Sequence, residues 1–182
     1  MKRILLIRHC DATGQHKDSP LSKEGNVQAY ELAKVVKQLS FPVDRIISSP
    51  YLRAKETIRP LASELEIEIE IDDRLKERTL SDEPIDDWFE ILEESFHNYQ
   101  FKLPGGESSK EAFNRANTVL EECLSNDQYD STIIVTHGNL LALMLEKFQV
   151  DFGFHGWKAL TNPDIFLVQR VGGEEVIERI WE

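Results

Sequence analysis

Three features of the sequence predict an α/β fold, a three-layer α/β/α sandwich with a mainly parallel central sheet and a C-terminal antiparallel hairpin. Short apolar runs without polar alternation, at Arg3–His9, Arg45–Ser48 and Thr132–Thr136, read as strands buried on both faces of a parallel sheet. Segments of helical periodicity separate them, so βα units repeat along the chain. Two late runs, Ile165–Val171 and Glu175–Trp181, are joined by Gly172-Gly173 and read as a hairpin. A length of 182 residues suits one domain over 1–182 better than two separate cores.

Element by element, the first strand gives way at Asp11 to a polar loop carrying Gly14 and Pro20. Ser22 can cap a helix whose apolar positions Val27, Leu32, Val35, Val36 and Leu39 keep helical spacing to about Ser40. The second strand ends at the Ser49-Pro50 turn, and Tyr51–Leu65 reads as a helix that Pro60 should kink or end. Ile67, Ile69 and Ile71 alternate with acids, the pattern of a strand with one wet face. The segment at about 75–103 is acidic and aromatic, with Trp88, Phe89, Phe96, Tyr99 and Phe101, and is expected to be a helical insertion ending at Pro104-Gly105-Gly106. From Ser108 to Leu124 the residues Ala112, Phe113, Ala116, Val119, Leu120 and Cys123 form one apolar stripe, which puts Cys123 in the core. A last internal helix, Asn139–Phe148, follows the Thr132–Thr136 strand.

Composition narrows the function. The 21 Lys+Arg against 33 Asp+Glu give a net charge of −12, which argues against a protein that binds nucleic acid by neutralising phosphates. Much of the excess sits in Glu64–Glu94, where 14 acids face 3 bases (Arg74, Lys76, Arg78), a local −11 that reads as a solvated face. Cys10 and Cys123 have no CxxC spacing, so neither a zinc site nor a disulfide framework is expected, and a reducing cytoplasm fits. The apolar run after Met1-Lys2-Arg3 stops at Arg8, too short for a signal peptide or a membrane span. The spacing of His16, Asp18 and His155 matches no metal-binding pattern, so no metal and no cofactor is expected. Oligomeric state is not legible.

In such sheets ligands bind outside the carboxyl ends of the strands, so the residues that follow each strand are the candidates. These are Arg8, His9 and Cys10, then Ser48, Ser49 and Arg53 one turn into its helix, then Thr136, His137 and Gly138. Two arginines beside two histidines reverse the sign of an acidic protein locally and repel one another unless an anion lies between them. Arginine forks match phosphate oxygens, and the backbone N–H groups that begin at Gly138 add donors at a helix start. Neither GxxxxGK[ST] nor GxGxxG occurs, and the residue six after Cys10 is His16, where a cysteine-dependent phosphatase needs arginine.

Four blocks then match a known family in order: Leu6-Ile7-Arg8-His9; Asp18-Ser19-Pro20-Leu21-Ser22-Lys23-Glu24-Gly25 with Gln28-Ala29; Ser48-Ser49-Pro50-Tyr51-Leu52-Arg53-Ala54 with Thr57; and Val135-Thr136-His137-Gly138. They span most of the chain and resemble the histidine phosphatase superfamily, also called phosphoglycerate-mutase-like, in its short phosphatase branch. The resemblance implies a metal-independent phosphomonoesterase for small phosphorylated metabolites. It implies His9 as the phosphorylated nucleophile, Arg8 and Arg53 as phosphate-binding arginines, and His137 as the second pocket histidine. Gln15 occupies a place where the family often has asparagine and joins Gly138 in the expected phosphate-binding set.

Glu77, in Arg74-Leu75-Lys76-Glu77, resembles the family's proton donor, with Asp82, Glu83 and Glu107 as alternatives. The chain departs from the family where Thr79-Leu80-Ser81-Asp82 replaces the expected glycines, and where Cys10 and Asp11-Ala12 follow the nucleophile. Cys10 reads either as a small spacer or as a thiol activated by the cationic pocket. Two other functions fit the same residues: a cofactor-dependent phosphoglycerate mutase, and a non-catalytic phosphate-binding regulatory module that has no need of His9 and Glu77.

Overall fold

Alternate residues of each central strand enter two different cores, which is why these strands read as unbroken apolar runs. A computed structural model describes all residues, 1–182. Six strands, β1 (Arg3–Arg8), β2 (Arg45–Ser48), β3 (Ile69–Ile71), β4 (Ser131–Thr136), β5 (Asp164–Val171) and β6 (Glu174–Arg179), form one sheet in the order β3-β2-β4-β1-β5-β6. The β3, β2, β4 and β1 strands are parallel, and β5 and β6 add antiparallel to β1. Leu5, Ile7, Ile46, Ile133, Val135, Ile165 and Leu167 face a core shared with α1 (Lys23–Lys37) and α2 (Leu52–Leu65). Ile4, Leu6, Ile47, Ile134, Phe166 and Val168 face the other, shared with α3 (Trp88–His97), α4 (Ser109–Ser125), α5 (Gly138–Leu145) and α6 (Gly153–Ala159). The three layers follow from that two-residue period.

Several elements differ locally from the sequence reading. In α1 the buried set is Gly25, Ala29, Leu32, Ala33 and Val36, and Val27 is 57% exposed because it lies half a turn from that stripe. Ser22 caps the helix, its hydroxyl accepting from Gly25 N–H at 3.0 Å. Pro60 does not end α2, which continues to Leu65 while Ile58, Leu61 and Ala62 stay buried around it. Within the acidic segment the helix proper is α3 alone; Leu75 ends a single 3₁₀ turn, and 76–87 is irregular apart from turns. That stretch has no apolar period and carries Pro84. Helix α5 stops at Leu145, and α6, with glycines at 153 and 156, gave no sequence signal. Cys123 is buried in the α4 core as expected. No helix is long and apolar enough to cross a membrane.

Candidate active site

Sheet register brings the predicted residues together. Arg8 pairs with Thr136 across β1 and β4, and Ser48 pairs with Val135 across β2 and β4. The next residues, His9, His137 and Ser49, therefore emerge side by side at the carboxyl end of the sheet. The two imidazole rings are 5.1 Å apart, centroid to centroid, in an edge-to-face arrangement. Both are buried, His9 at 6% exposure and His137 at 0%. Burial, before the nearby arginines, pushes the pKa of His9 down to about 3 and that of His137 well below the usual value.

A hydrogen bond fixes the proton on the His9 ring. Nδ1 of His9 lies 2.7 Å from the carbonyl oxygen of Cys10, which only accepts, so Nδ1 carries the hydrogen and Nε2 carries the lone pair. Nε of Arg53 donates to that Nε2 at 3.2 Å. The Asn162 amide donates to the His9 carbonyl at 2.9 Å and anchors the backbone beneath the ring. On His137, Nε2 lies 2.7 Å from Ser49 Oγ. The Ser49 hydroxyl also accepts from Tyr51 N–H at 3.2 Å, and with two lone pairs it can either donate to or accept from Nε2 of His137. Nδ1 of His137 is buried without a partner, as is Nε of Arg8. Both nitrogens belong to residues that flank the His9 imidazole, Arg8 before it in β1 and His137 beside it.

The guanidiniums are set by short-range packing. Arg53, 1% exposed, donates from Nη1 to the carbonyls of Gln15 (3.2 Å) and His16 (3.1 Å) and lies over the Tyr51 ring. Arg8 reaches the carbonyl of Leu160 at 3.3 Å. A Cβ at Gly138 would lie 2.9 Å from Cζ, Nε and Nη2 of Arg8, so the missing side chain makes room for that guanidinium. Desolvation lowers both arginine pKa values, yet arginine remains charged. The ion pairs of the chain include neither Arg8, Arg53 nor Arg78.

Glu77 faces the same space. Its Oε1 accepts from the backbone N–H of Arg78 (2.8 Å) and Leu140 (2.9 Å), and its Oε2 from Asn139 N–H at 3.1 Å. Two of the N–H groups in the first turn of α5, those of Asn139 and Leu140, are thus taken by this carboxylate and do not serve a bound anion, whereas that of Gly138 is not among its donors. Arg115 steadies the loop from behind, donating to the carbonyls of Arg74 (2.6 Å), Lys76 (2.9 Å) and Glu77 (3.3 Å). Glu107 grips Arg115 with both oxygens and accepts Thr79 N–H, a structural task that removes it from the list of donors. Asp82 packs against Gly105, and Glu83 lies on the exposed cavity rim.

A cavity of about 840 Å³ opens at these groups, lined by Arg8, Gln15, Tyr51, Arg53 and Glu77 together with Arg78, Leu80, Ile85, Trp88, Leu92 and Trp157. Cys10 is fully buried, and burial raises its thiol to about 12, so the spacer reading holds and the activated-thiol reading does not. Five residues at the site escaped the sequence reading: Arg78, Tyr51, Arg115, Asn162 and Leu160. The last two precede β5, which runs antiparallel to β1 and so begins where β1 ends, with Arg8 opposite Asp164.

Residues 4–180 match the family model described as "Histidine phosphatase superfamily (branch 1)". A protein of Hydrogenobacter thermophilus named "Putative phosphoserine phosphatase 2" is 32% identical over 156 residues, 78% of this chain and 75% of that protein. "Probable phosphoglycerate mutase GpmB" of Salmonella choleraesuis is 31% identical over 175 residues, 86% of this chain and 78% of its own. Among solved structures, Bacillus stearothermophilus YhfR has a TM-score of 0.80 at 22% identity over 98% of this chain and 96% of that one, a likeness of fold.

Proposed function

The chain belongs to the histidine phosphatase superfamily, branch 1, and from that premise we propose that it is a metal-independent phosphomonoesterase acting through a phosphohistidine on His9. The observation that carries the reading is the proton position on His9: with Nδ1 donating to Cys10, the lone pair lies on Nε2, and it attacks phosphorus once the Arg53 N–H that it accepts turns to a phosphate oxygen. In the first step the Nε2–P bond forms while the bond from phosphorus to the leaving oxygen breaks in line. Arg8, Arg53, the Gln15 side chain and His137 hold the equatorial oxygens, and this electrostatic positioning supplies most of the rate. Glu77 gives its proton to the departing alkoxide, a contribution of roughly 10²- to 10⁴-fold. In the second step Glu77 takes a proton from water, the P–N bond breaks, and inorganic phosphate leaves. Three arginines lining the cavity provide the positive charge that a metal ion supplies elsewhere.

The test is a panel of phosphomonoesters assayed with wild type and His9→Ala, with and without EDTA. Turnover that disappears in His9→Ala and survives EDTA supports the reading; turnover retained by the variant, or restored to a chelated enzyme by Mg²⁺ or Zn²⁺, rejects it.

A mutase reading has two observations in its favour, the relative named GpmB and the inward turn of Arg78, which softens the electrostatic objection to a second anion. Hydrolysis remains the better reading. Arg74 is committed to Asp72 and Glu122, Lys76 is exposed, and the cavity is open to water, which competes for the phosphorylated histidine. Incubation with 3-phosphoglycerate and a bisphosphoglycerate primer separates the two: phosphate release faster than formation of 2-phosphoglycerate is the expected result, and the reverse order makes the enzyme a mutase.

A further inference from the structure

We propose that Thr57 is a positioning residue of the phosphoryl transfer: with Asn162 it fixes the peptide between His9 and Cys10, on which the direction of the His9 lone pair depends. The last ladder bond at the end of β1 runs from His9 N–H to the Thr136 carbonyl at 3.1 Å. Both polar groups of the next peptide go to side chains instead. The Cys10 N–H donates to Thr57 Oγ1 at 2.8 Å, and the His9 carbonyl accepts from the Asn162 amide at 2.9 Å. Thr57 belongs to α2 and Asn162 to the segment before β5. The N–H and C=O of a trans peptide point in opposite directions, so a bond at each holds the plane against rotation. That plane joins the Cα atoms of His9 and Cys10, and its orientation sets how the ring of the one meets the carbonyl of the other, 2.7 Å from Nδ1.

Thr57 also ties the nucleophile to the phosphate-binding arginine. Its hydroxyl proton goes to the Arg53 carbonyl at 2.8 Å, so toward Cys10 the oxygen can only accept. Nε of Arg53 donates to Nε2 of His9 at 3.2 Å and closes a circuit of four hydrogen bonds: His9 ring to Cys10 carbonyl, Cys10 N–H to Thr57, Thr57 to the Arg53 carbonyl, Arg53 side chain back to the ring. When phosphate draws the Arg53 N–H away, the other three remain, and the strand end that carries His9 stays joined to the helix that carries Arg53. Thr57 is 0% exposed inside that helix, where valine has the same shape and a hydroxyl does nothing for the helix itself. The hydroxyl serves its partners. Without it the N–H of the fully buried Cys10 has no acceptor, and the peptide turns to find one. Once the Cys10 carbonyl leaves Nδ1, nothing holds the hydrogen on that nitrogen, and a hydrogen on Nε2 blocks attack.

The inference rests on the phosphomonoesterase reading, and the experiment separates their failures. Thr57→Val, Thr57→Ser and Asn162→Leu are compared with wild type on p-nitrophenyl phosphate, whose leaving group needs no proton, so that kcat/KM reports attack by His9. Thr57→Val should lose about 10²-fold, the cost of misplacing a reacting group by about 1 Å, and Thr57→Ser, which keeps the hydroxyl, should stay within about threefold of wild type. Nitrogen-15 NMR of His9 reads the clamp without turnover: the Nε2–H tautomer should appear in Thr57→Val and Asn162→Leu and be absent from wild type and Thr57→Ser. A residue that only packs lowers the thermal midpoint and moves neither readout. An unchanged tautomer or an unchanged kcat/KM in Thr57→Val, or a loss that Thr57→Ser shares in full, overturns the inference. If wild type hydrolyses no phosphomonoester, the hydrolytic reading falls and the tautomers alone decide the clamp. If Thr57→Val does not fold, Asn162→Leu decides from the other side of the peptide, and an unchanged tautomer there overturns the inference.

Discussion

The Cys10 carbonyl oxygen accepts a hydrogen bond from Nδ1 of His9 at 2.7 Å, and this contact leaves the lone pair of a buried imidazole on Nε2. Because Cys10 is adjacent in sequence, the contact needs only the backbone turn at the end of β1. Nitrogen-15 NMR should show His9 as the neutral Nδ1–H tautomer from pH 7 down to pH 5, since burial holds its pKa at about 3. Titration near the ordinary histidine value, about 6.5, would contradict the burial argument.

The same depression affects stability. Unfolding releases His9 to an ordinary pKa, so the unfolded state binds more protons between about 3 and 6.5. The contribution of His9 is therefore complete above the unfolded value and is lost as pH falls, by up to about 1.4 kcal/mol per pH unit. Urea midpoints should fall from pH 7 to pH 5, and the slope should be shallower in His9→Ala. Equal slopes would mean that His9 is not held neutral in the fold.

Gly138→Ala should separate folding from activity. The added methyl meets the far end of the flexible Arg8 side chain, at 2.9 Å, rather than backbone. The thermal midpoint should change little while kcat/KM falls about 10²-fold, the cost of displacing a positioning group by about 1 Å. Full activity would show that Arg8 does not need its present place.

Glu77→Gln should lower the rate far more with an alkyl phosphate than with p-nitrophenyl phosphate, whose leaving group departs without a proton. Arg115→Met should reproduce that bias more weakly, because Arg115 acts through the Glu77 loop that it holds. Equal losses on both substrates would make Glu77 structural and return Asp82 and Glu83 to consideration.

What the sequence could reveal followed from physics that acts locally. Strands buried on both faces announce themselves as apolar runs, and inspecting the ends of parallel strands found Arg8, His9, Arg53 and His137. That rule has no purchase on β5, whose start rather than its end reaches the site, so Leu160 and Asn162 went unseen. Arg78 was hidden by its surroundings, since a base among 14 acids looks solvated until the chain is folded. The position of Arg115 depends on α4 meeting the Glu77 loop, a contact no spacing predicts. Cys10 was ambiguous because proximity to positive charge and burial act on a thiol in opposite senses, and only the fold shows that burial wins.

The central claim is that phosphate passes through His9, and trapping the intermediate tests it most directly. Enzyme mixed with a fast ³²P-labelled substrate and quenched in denaturant should carry label on His9 that is labile in acid and stable in alkali, as a phosphoramidate requires. The label should be absent in His9→Ala. Acid-stable label on a serine, or label that persists in His9→Ala, would contradict the account.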